Sequence, residues 1–106
     1  MFTPSNPMYP EPVLESHLYF ETPQIEGLWQ SREGSPAVRI YRNERRRGGG
    51  YWIDFSYNPQ TVVHRPIRRC WGLCYCDLYG WIGIAYDSIR DVLSLVGYGD
   101  YYRVED

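Results

Sequence analysis

Short runs of aromatic and β-branched residues, separated by turn-forming residues, constrain the fold of this chain most strongly. The clearest run is YWIDFSYN at 51–58, where the odd-numbered residues from Tyr51 to Tyr57 share one face. Ten glycines and eight prolines supply turns between such runs. Further strands are predicted at 27–32, 37–43, 61–64, 70–77, 81–86, 92–96 and 98–105. Seven to eight short strands at about ten-residue spacing predict an all-β fold, a small antiparallel meander barrel or half-barrel.

The segment 89–96 fits two patterns. Ile89, Val92, Leu93 and Val96 have helical spacing, whereas Leu93 and Leu95 alternate with a serine as in a strand. Gly97 closely follows and leaves room for only about two helical turns, which is short for a stable helix. A strand is therefore predicted.

The N-terminal residues 1–24 read as an irregular, partly ordered arm. Five of the eight prolines lie there, and proline removes the backbone donors that regular pairing needs. The barrel domain is predicted to span residues 25–106.

Charge and cysteine content restrict the class of protein. The net charge is −2, and all 11 basic residues are arginine, so the overall charge does not indicate a nucleic-acid partner. The chain has no apolar run long enough to span a membrane, and its N-terminal stretch is not expected to act as a secretory signal. Its three clustered cysteines are not a disulfide framework, so a soluble, cytoplasmic protein with reduced thiols is expected.

Gly27, Trp29 and Arg103 resemble a feature of the lipocalin-like, or calycin, barrels. In that superfamily the tryptophan of a Gly-x-Trp motif packs at the closed end of the barrel, under an arginine from the last strand. The resemblance implies that Trp29 plugs the barrel and that Arg103 stacks on it. The chain is shorter than true lipocalins, which does not favour a large ligand cavity.

The tail from Tyr86 to Arg103 resembles a second group. It follows the pattern Tyr-Asp-x-x-x-Asp-Val-Leu-x-Leu-x-Gly-Tyr-Gly-x-Tyr-x-Arg of an uncharacterised family of short bacterial proteins. The resemblance implies an association with mobile elements and contributes no mechanism.

Cysteine and histidine are the residues to consider for metal binding or catalysis. Cys70, Cys74 and Cys76 have matching parity and could share one strand face, with His64 as a fourth zinc ligand. Their C-x3-C-x-C spacing is unlike the usual C-x2-C pair, so neither a metal nor a cofactor is predicted. A cysteine with His64 and Asp54 would form a thiol triad only if the fold brought them together. No catalytic motif is present, and an enzyme is not predicted.

Two basic stretches suggest contact with nucleic acid. They are interleaved with aromatic residues that could stack on bases; their arginines are Arg45, Arg46, Arg47, Arg68 and Arg69. The Gly48–Gly50 run that follows the first stretch lacks the features of a phosphate-binding loop.

The aromatic residues suggest a different function. They are too numerous to fill one small core, so some are expected to reach the surface or line a pocket; the pocket candidates are Tyr51, Phe55, Tyr57 and Tyr86. A filled barrel is favoured over an open pocket. The leading hypothesis is a non-enzymatic binding module, monomeric or homodimeric, for a protein partner or a small apolar ligand, without membrane contact. The alternative is a nucleic-acid-associated accessory protein of a mobile element.

Overall fold

The computed structural model describes residues 15–43 and 50–104, and this part of the chain is all-β. Two single-turn 3₁₀ helices come first, η1 (Glu15–Leu18) and η2 (Thr22–Ile25). Nine strands follow: β1 (Gly27–Ser31), β2 (Ala37–Arg42), β3 (Tyr51–Asn58), β4 (Thr61–Pro66), β5 (Arg68–Cys70), β6 (Leu73–Asp77), β7 (Trp81–Asp87), β8 (Val92–Leu95) and β9 (Gly99–Arg103). The expectation of an antiparallel β-barrel is confirmed, with a count slightly above the seven to eight strands predicted.

The strands form an antiparallel meander that returns to its start. Each strand except β5 pairs antiparallel with the preceding strand along the chain, and β1 pairs with both β2 and β9. The two edges of the sheet are β4 and β5, which are consecutive and separated only by Ile67. They act as one bent strand that pairs first with β3 and then with β6. The barrel is therefore nearly closed, with a seam at the bend.

Proline explains the bend between β4 and β5. Pro66 has no N–H group, so it cannot continue a ladder on both sides of the strand. Just beyond it, the Ile67 N–H donates to the carbonyl of Tyr51 (2.8 Å), which is the last contact with β3. From Arg68 onward the chain is hydrogen-bonded to β6 instead.

Apolar side chains fill the interior. Most of them are the inward-facing residues that alternate along each strand, and Ile25 joins them from η2. The largest with almost no exposed surface are Trp29, Tyr101, Phe55, Ile25, Ile40, Ile53, Ile84, Leu93 and Leu95. Such dense packing is the main source of stability in a domain of this size.

Two sequence predictions about strands have clear outcomes. The strand predicted at 92–96 is confirmed as β8. The strand predicted at 70–77 is wrong in its first part, because Trp71 and Gly72 form a tight turn that separates β5 from β6. Both turn residues have positive φ, 53° and 82°, the geometry of a two-residue hairpin turn.

The segment 15–26 packs across one end of the barrel, called here the arm end. From here on, the arm means this segment, which runs from η1 to the residue before β1. This end also carries the Trp71–Gly72 turn, the turn between β7 and β8, and the last residue of β9. The opposite end carries the loops 32–36, 59–60, 78–80 and 96–98. The arm boundary predicted at residue 24 stays a prediction, since residues 1–14 lie outside the described part of the chain.

Candidate functional site

Trp29 lies at the arm end, beneath the guanidinium group of Arg103. Its side chain is 1% exposed, and its indole N–H donates to the Ile25 carbonyl (2.9 Å). The central carbon of the guanidinium lies 4.4 Å from the centre of the tryptophan ring. At Gly27, where φ is +141°, a Cβ atom would lie 2.9 Å from Arg103 Nη1, so a larger residue would strain the backbone and displace this arginine. The structure thus brings together all three residues of the proposed barrel plug.

Arg103 also ties the arm to the barrel. Its Nη1 and Nη2 donate to the carbonyls of Glu26 (2.6 Å) and Gln24 (2.7 Å), and its Nε and Nη2 bind the Asp91 carboxylate. The hydrogen bond from Arg103 lowers the pKa of Asp91, and the same contact raises the pKa of Arg103. Tyr86 completes the network by donating to Asp91 (2.7 Å).

A second arginine holds the preceding part of the arm. Arg69 Nη2 donates to the Phe20 carbonyl (2.6 Å) and to Thr22 Oγ1 (3.1 Å), while Nη1 donates to the Gly72 carbonyl (2.9 Å). Its guanidinium also lies 5.2 Å from the Phe20 ring centre. Among the nucleic-acid candidates, Arg69 therefore already has intramolecular partners.

The other arginine candidates are differently placed. Arg68 is exposed on the outer surface, opposite Tyr75 of β6. Arg45, Arg46 and Arg47 lie outside the described residues.

The four pocket candidates do not line one cavity. Phe55 is buried in the core and Tyr51 is half-buried near the arm end, whereas Tyr57 is exposed near the opposite end. The Tyr57 hydroxyl lies 3.4 Å from that of Tyr98, whose pKa is raised by burial. Tyr86 borders a cavity of about 210 Å³ between the arm and the β7–β8 turn.

The cysteines do not form one cluster. Cys74 and Cys76 face the interior of the barrel, whereas Cys70 is exposed on β5, across the Trp71–Gly72 turn. The expectation that all three share a strand face is wrong, because the turn breaks the parity on which it depended. Burial raises the pKa of Cys74 to about 11 and that of Cys76 to about 12, so both thiols stay protonated near neutral pH. Within residues 15–43 and 50–104, no three potential metal-binding side chains come together.

Asp54 and His64 do come together, on the outer face of the barrel. His64 Nδ1 lies 2.7 Å from Asp54 Oδ1, and the Tyr41 hydroxyl donates to the same oxygen (2.9 Å). Asp54 is buried beneath these neighbours although it points away from the core. Cys74 and Cys76 lie on the opposite face of the barrel wall, so neither can join this pair in a thiol triad. Tyr41 was not predicted as a partner of Asp54. Only the register of β2 against β3 brings its hydroxyl to this carboxylate.

Three of the four most exposed large apolar side chains in the described residues lie at the arm end. Trp71 is 97% exposed in its hairpin turn, Ile89 is 95% exposed in the β7–β8 turn, and Tyr19 is 59% exposed in the arm. Tyr19 lies between the other two, because it borders the cavity beside Ile89 and also approaches Gly72. We call Trp71, Tyr19 and Ile89 the arm-end surface. Its only signal in the sequence was the general excess of aromatic residues.

An aromatic pair occupies another part of the surface, on β6 and β7. Tyr75 and Trp81 stack with ring centres 4.0 Å apart and planes inclined by 9°. Trp81 is half exposed, and Arg68 lies across from Tyr75 in the ladder.

Comparison of the chain with protein-family models, curated proteins and solved structures found no match. The two resemblances stated from the sequence therefore stay predictions. None of the helices in the described segments is long and apolar enough to cross a membrane.

Proposed function

We propose that this protein is a non-catalytic protein-recognition module, and that a partner binds at the arm-end surface. One observation carries the proposal: a tryptophan that is 97% exposed occupies a left-handed position in a tight turn. The first position of such a turn usually holds asparagine, aspartate or glycine. A bulky residue there costs about 1–2 kcal/mol in backbone conformation.

With 97% of its surface exposed, the indole gains almost no packing within the described residues to offset this cost. Burying a tryptophan side chain removes roughly 150–250 Å² from water. At about 25 cal/mol per Å², that burial would contribute about 4–6 kcal/mol to a complex. Tryptophan is also strongly enriched among residues that dominate binding energy at protein interfaces. Ile89 and Tyr19 extend the contact around it.

A protein partner agrees better with the packing than a small apolar ligand does. Large side chains with almost no exposed surface occupy the barrel interior, including Trp29, Phe55 and Tyr101. A ligand there would have to displace them, with a loss of several kcal/mol of packing energy. The exposed apolar groups lie outside the barrel, where another protein can reach them.

The test places a photoreactive phenylalanine analogue at position 71 in the cells that make the protein. The control places it at Tyr79, which is also exposed (89%) and left-handed (φ 57°) but lies at the opposite end of the barrel. We expect a protein adduct from position 71 and none from position 79. The adduct partner, once purified, should bind the Trp71→Asn variant at least about 30-fold more weakly than the wild type. Absence of any adduct at position 71 would overturn the proposal.

A second candidate function is binding of single-stranded nucleic acid. It is supported by the stacked Tyr75 and Trp81 rings, with the Arg68 guanidinium on the neighbouring strand. Stacked aromatic residues next to arginine are typical of surfaces that bind unpaired bases and their phosphates. Among the described residues, Arg68 has no ion pair that would compete with a phosphate.

A labelled oligothymidylate or oligouridylate titrated at low salt tests this candidate by fluorescence anisotropy. Binding should weaken with added salt and should also weaken in the Arg68→Gln and Trp81→Ala variants. No anisotropy change at low salt would eliminate the candidate, while Trp71→Asn serves as a control with an unaltered stacking pair.

A further inference from the structure

A surface cavity of about 510 Å³ lies directly beside Trp71. It is lined by Tyr19, Phe20, Glu21, Gln24, Arg69 and Gly72. Two of these residues, Arg69 and Gly72, belong to the hairpin that carries Trp71. It is a depression open to solvent, so a flat ring can enter it from outside.

The lining suits an indole ring. Tyr19 offers an aromatic surface for packing. Phe20 also lines the cavity, and its ring already contacts Tyr86 and the Arg69 guanidinium. Arg69 is held by its bonds to Phe20 and Thr22, so its cationic group is fixed beside the cavity, where it can contact a ring face. Glu21 also lines the cavity, and a carboxylate can accept a hydrogen bond from an indole N–H. Aromatic, cationic and acceptor groups thus come together at one place on the surface.

The Trp71 side chain does not fill the cavity beside it. Its 97% exposure means that the indole points into solvent, although the adjacent Gly72 is part of the cavity wall. A projecting group and a cavity that suits it therefore lie side by side on one surface. Two copies related by a two-fold axis can satisfy both at once, because the contact of Trp71 on one copy with the cavity of the second is repeated by Trp71 of the second copy with the cavity of the first.

We infer that the partner at the arm-end surface is a second copy of this chain, with Trp71 of each copy inserted into the cavity of the other. The inference rests on the proposed function and names the partner of that same surface. The barrels meet end to end, and the two indoles are buried near the two-fold axis. The indole that each copy inserts carries no charge, so the contact depends little on salt.

Sedimentation equilibrium from low micromolar to near-millimolar protein tests the dimer. The wild type, Trp71→Asn and Tyr79→Asn are compared at low and moderate salt. Asparagine tolerates the left-handed conformation, so both variants are expected to keep the fold, which far-UV circular dichroism checks. We expect the wild type and Tyr79→Asn to dimerise alike, and Trp71→Asn to have a dissociation constant at least about 30-fold higher.

A second measurement locates the indole. Free N-acetyl-tryptophanamide should compete with dimerisation of the wild type by occupying the cavity. Tryptophan emission should shift to shorter wavelength as the wild type associates, and this shift should be absent in Trp71→Asn.

The outcomes separate the two proposals. A wild type that stays monomeric throughout overturns the inference, as does a dimer that Trp71→Asn leaves unchanged. In either case an adduct from position 71 with a different protein would leave the recognition function intact. If position 71 yields no adduct at all, both proposals fail.

Discussion

Replacing Arg103 with methionine tests whether this one side chain ties the arm to the barrel. Methionine keeps an unbranched apolar side chain near Trp29 but has no hydrogen-bond donor. The substitution removes hydrogen bonds to the carbonyls of Gln24 and Glu26, two bonds to Asp91, and a ring contact at 4.4 Å. The substitution therefore removes, at once, the contacts by which Arg103 of the last strand holds the arm and the β7–β8 turn.

The magnitude follows from these contacts. The ring contact is worth about 1 kcal/mol, and each hydrogen bond to a charged group about 1.5–3 kcal/mol when counted alone. The bonds share one guanidinium and are not additive, and the side chain is 28% exposed, so water replaces some of them. A loss of about 3–5 kcal/mol is expected, comparable to breaking a buried ion pair. The melting temperature should fall by about 12 °C or more.

The assay is urea unfolding of the wild type and three variants. Asp91→Asn is the matched control, because it removes the carboxylate but leaves both carbonyl contacts of Arg103 to the arm. We expect a loss of about 1 kcal/mol for this variant, since the Asp91 side chain is 41% exposed. Arg103→Lys keeps the charge but not the planar fork, so it should resemble Arg103→Met more than the wild type.

Two results would refute this reasoning about Arg103. One is an Arg103→Met variant no less stable than Asp91→Asn, which would mean that the bonds to the arm contribute nothing. The other is unchanged amide hydrogen exchange at residues 20–26 in Arg103→Met, because release of the arm must expose that backbone.

Further predictions concern the core, the thiols and the pH dependence. Trp29→Ala should lower the free energy of unfolding by about 3–5 kcal/mol in urea, and a near-neutral result would remove its role as a barrel plug. In the native protein a thiol reagent should label Cys70 rapidly and Cys74 and Cys76 only after unfolding, since these two are buried; three fast thiols would contradict the packing. Stability should fall as pH rises above 9.0, because the thiols of the unfolded chain ionise there while burial raises the folded pKa of Cys74 to about 11. Arg103 lowers the pKa of Asp91 below 3.8 in the folded protein. The contribution of Asp91 to stability is therefore full above pH 3.8 and is lost as the pH falls through the pKa of the folded state. Acid and alkaline unfolding curves check both directions, and Asp91→Asn should flatten the acid limb.

Local patterns in the sequence were enough to predict the class of fold. At 51–58, alternating side chains show which face of the strand packs on the core, and a few neighbouring residues are enough to recognise this pattern. Alternation at 92–96, with Gly97 as a limit on helix length, predicted β8 as a strand rather than a helix. Turn residues marked most of the strand boundaries for the same local reason.

The Trp71–Gly72 turn shows where local patterns are insufficient. Tryptophan is rare at a left-handed turn position, so the segment 70–77 read as one strand. Pairing of β5 with β6 imposes the turn, and that pairing depends on Pro66 bending the preceding strand. The prediction that the three cysteines share one strand face was wrong for the same reason, since it assumed one continuous strand.

The contacts that make up the candidate sites were decided by tertiary structure alone. Arg103 and Gln24 are 79 positions apart, and Arg69 and Phe20 are 49 apart, yet both pairs are hydrogen-bonded. No local pattern records which end of the barrel the arm covers, since that depends on the closing pair of β1 with β9. The sequence by itself determined that strands form and which faces are apolar, because these follow from the period of the side chains. The closed path of the chain decided that Trp71, Tyr19 and Ile89 project from one end, and that Asp54 meets His64 and Tyr41, because only strand order and register bring distant residues together.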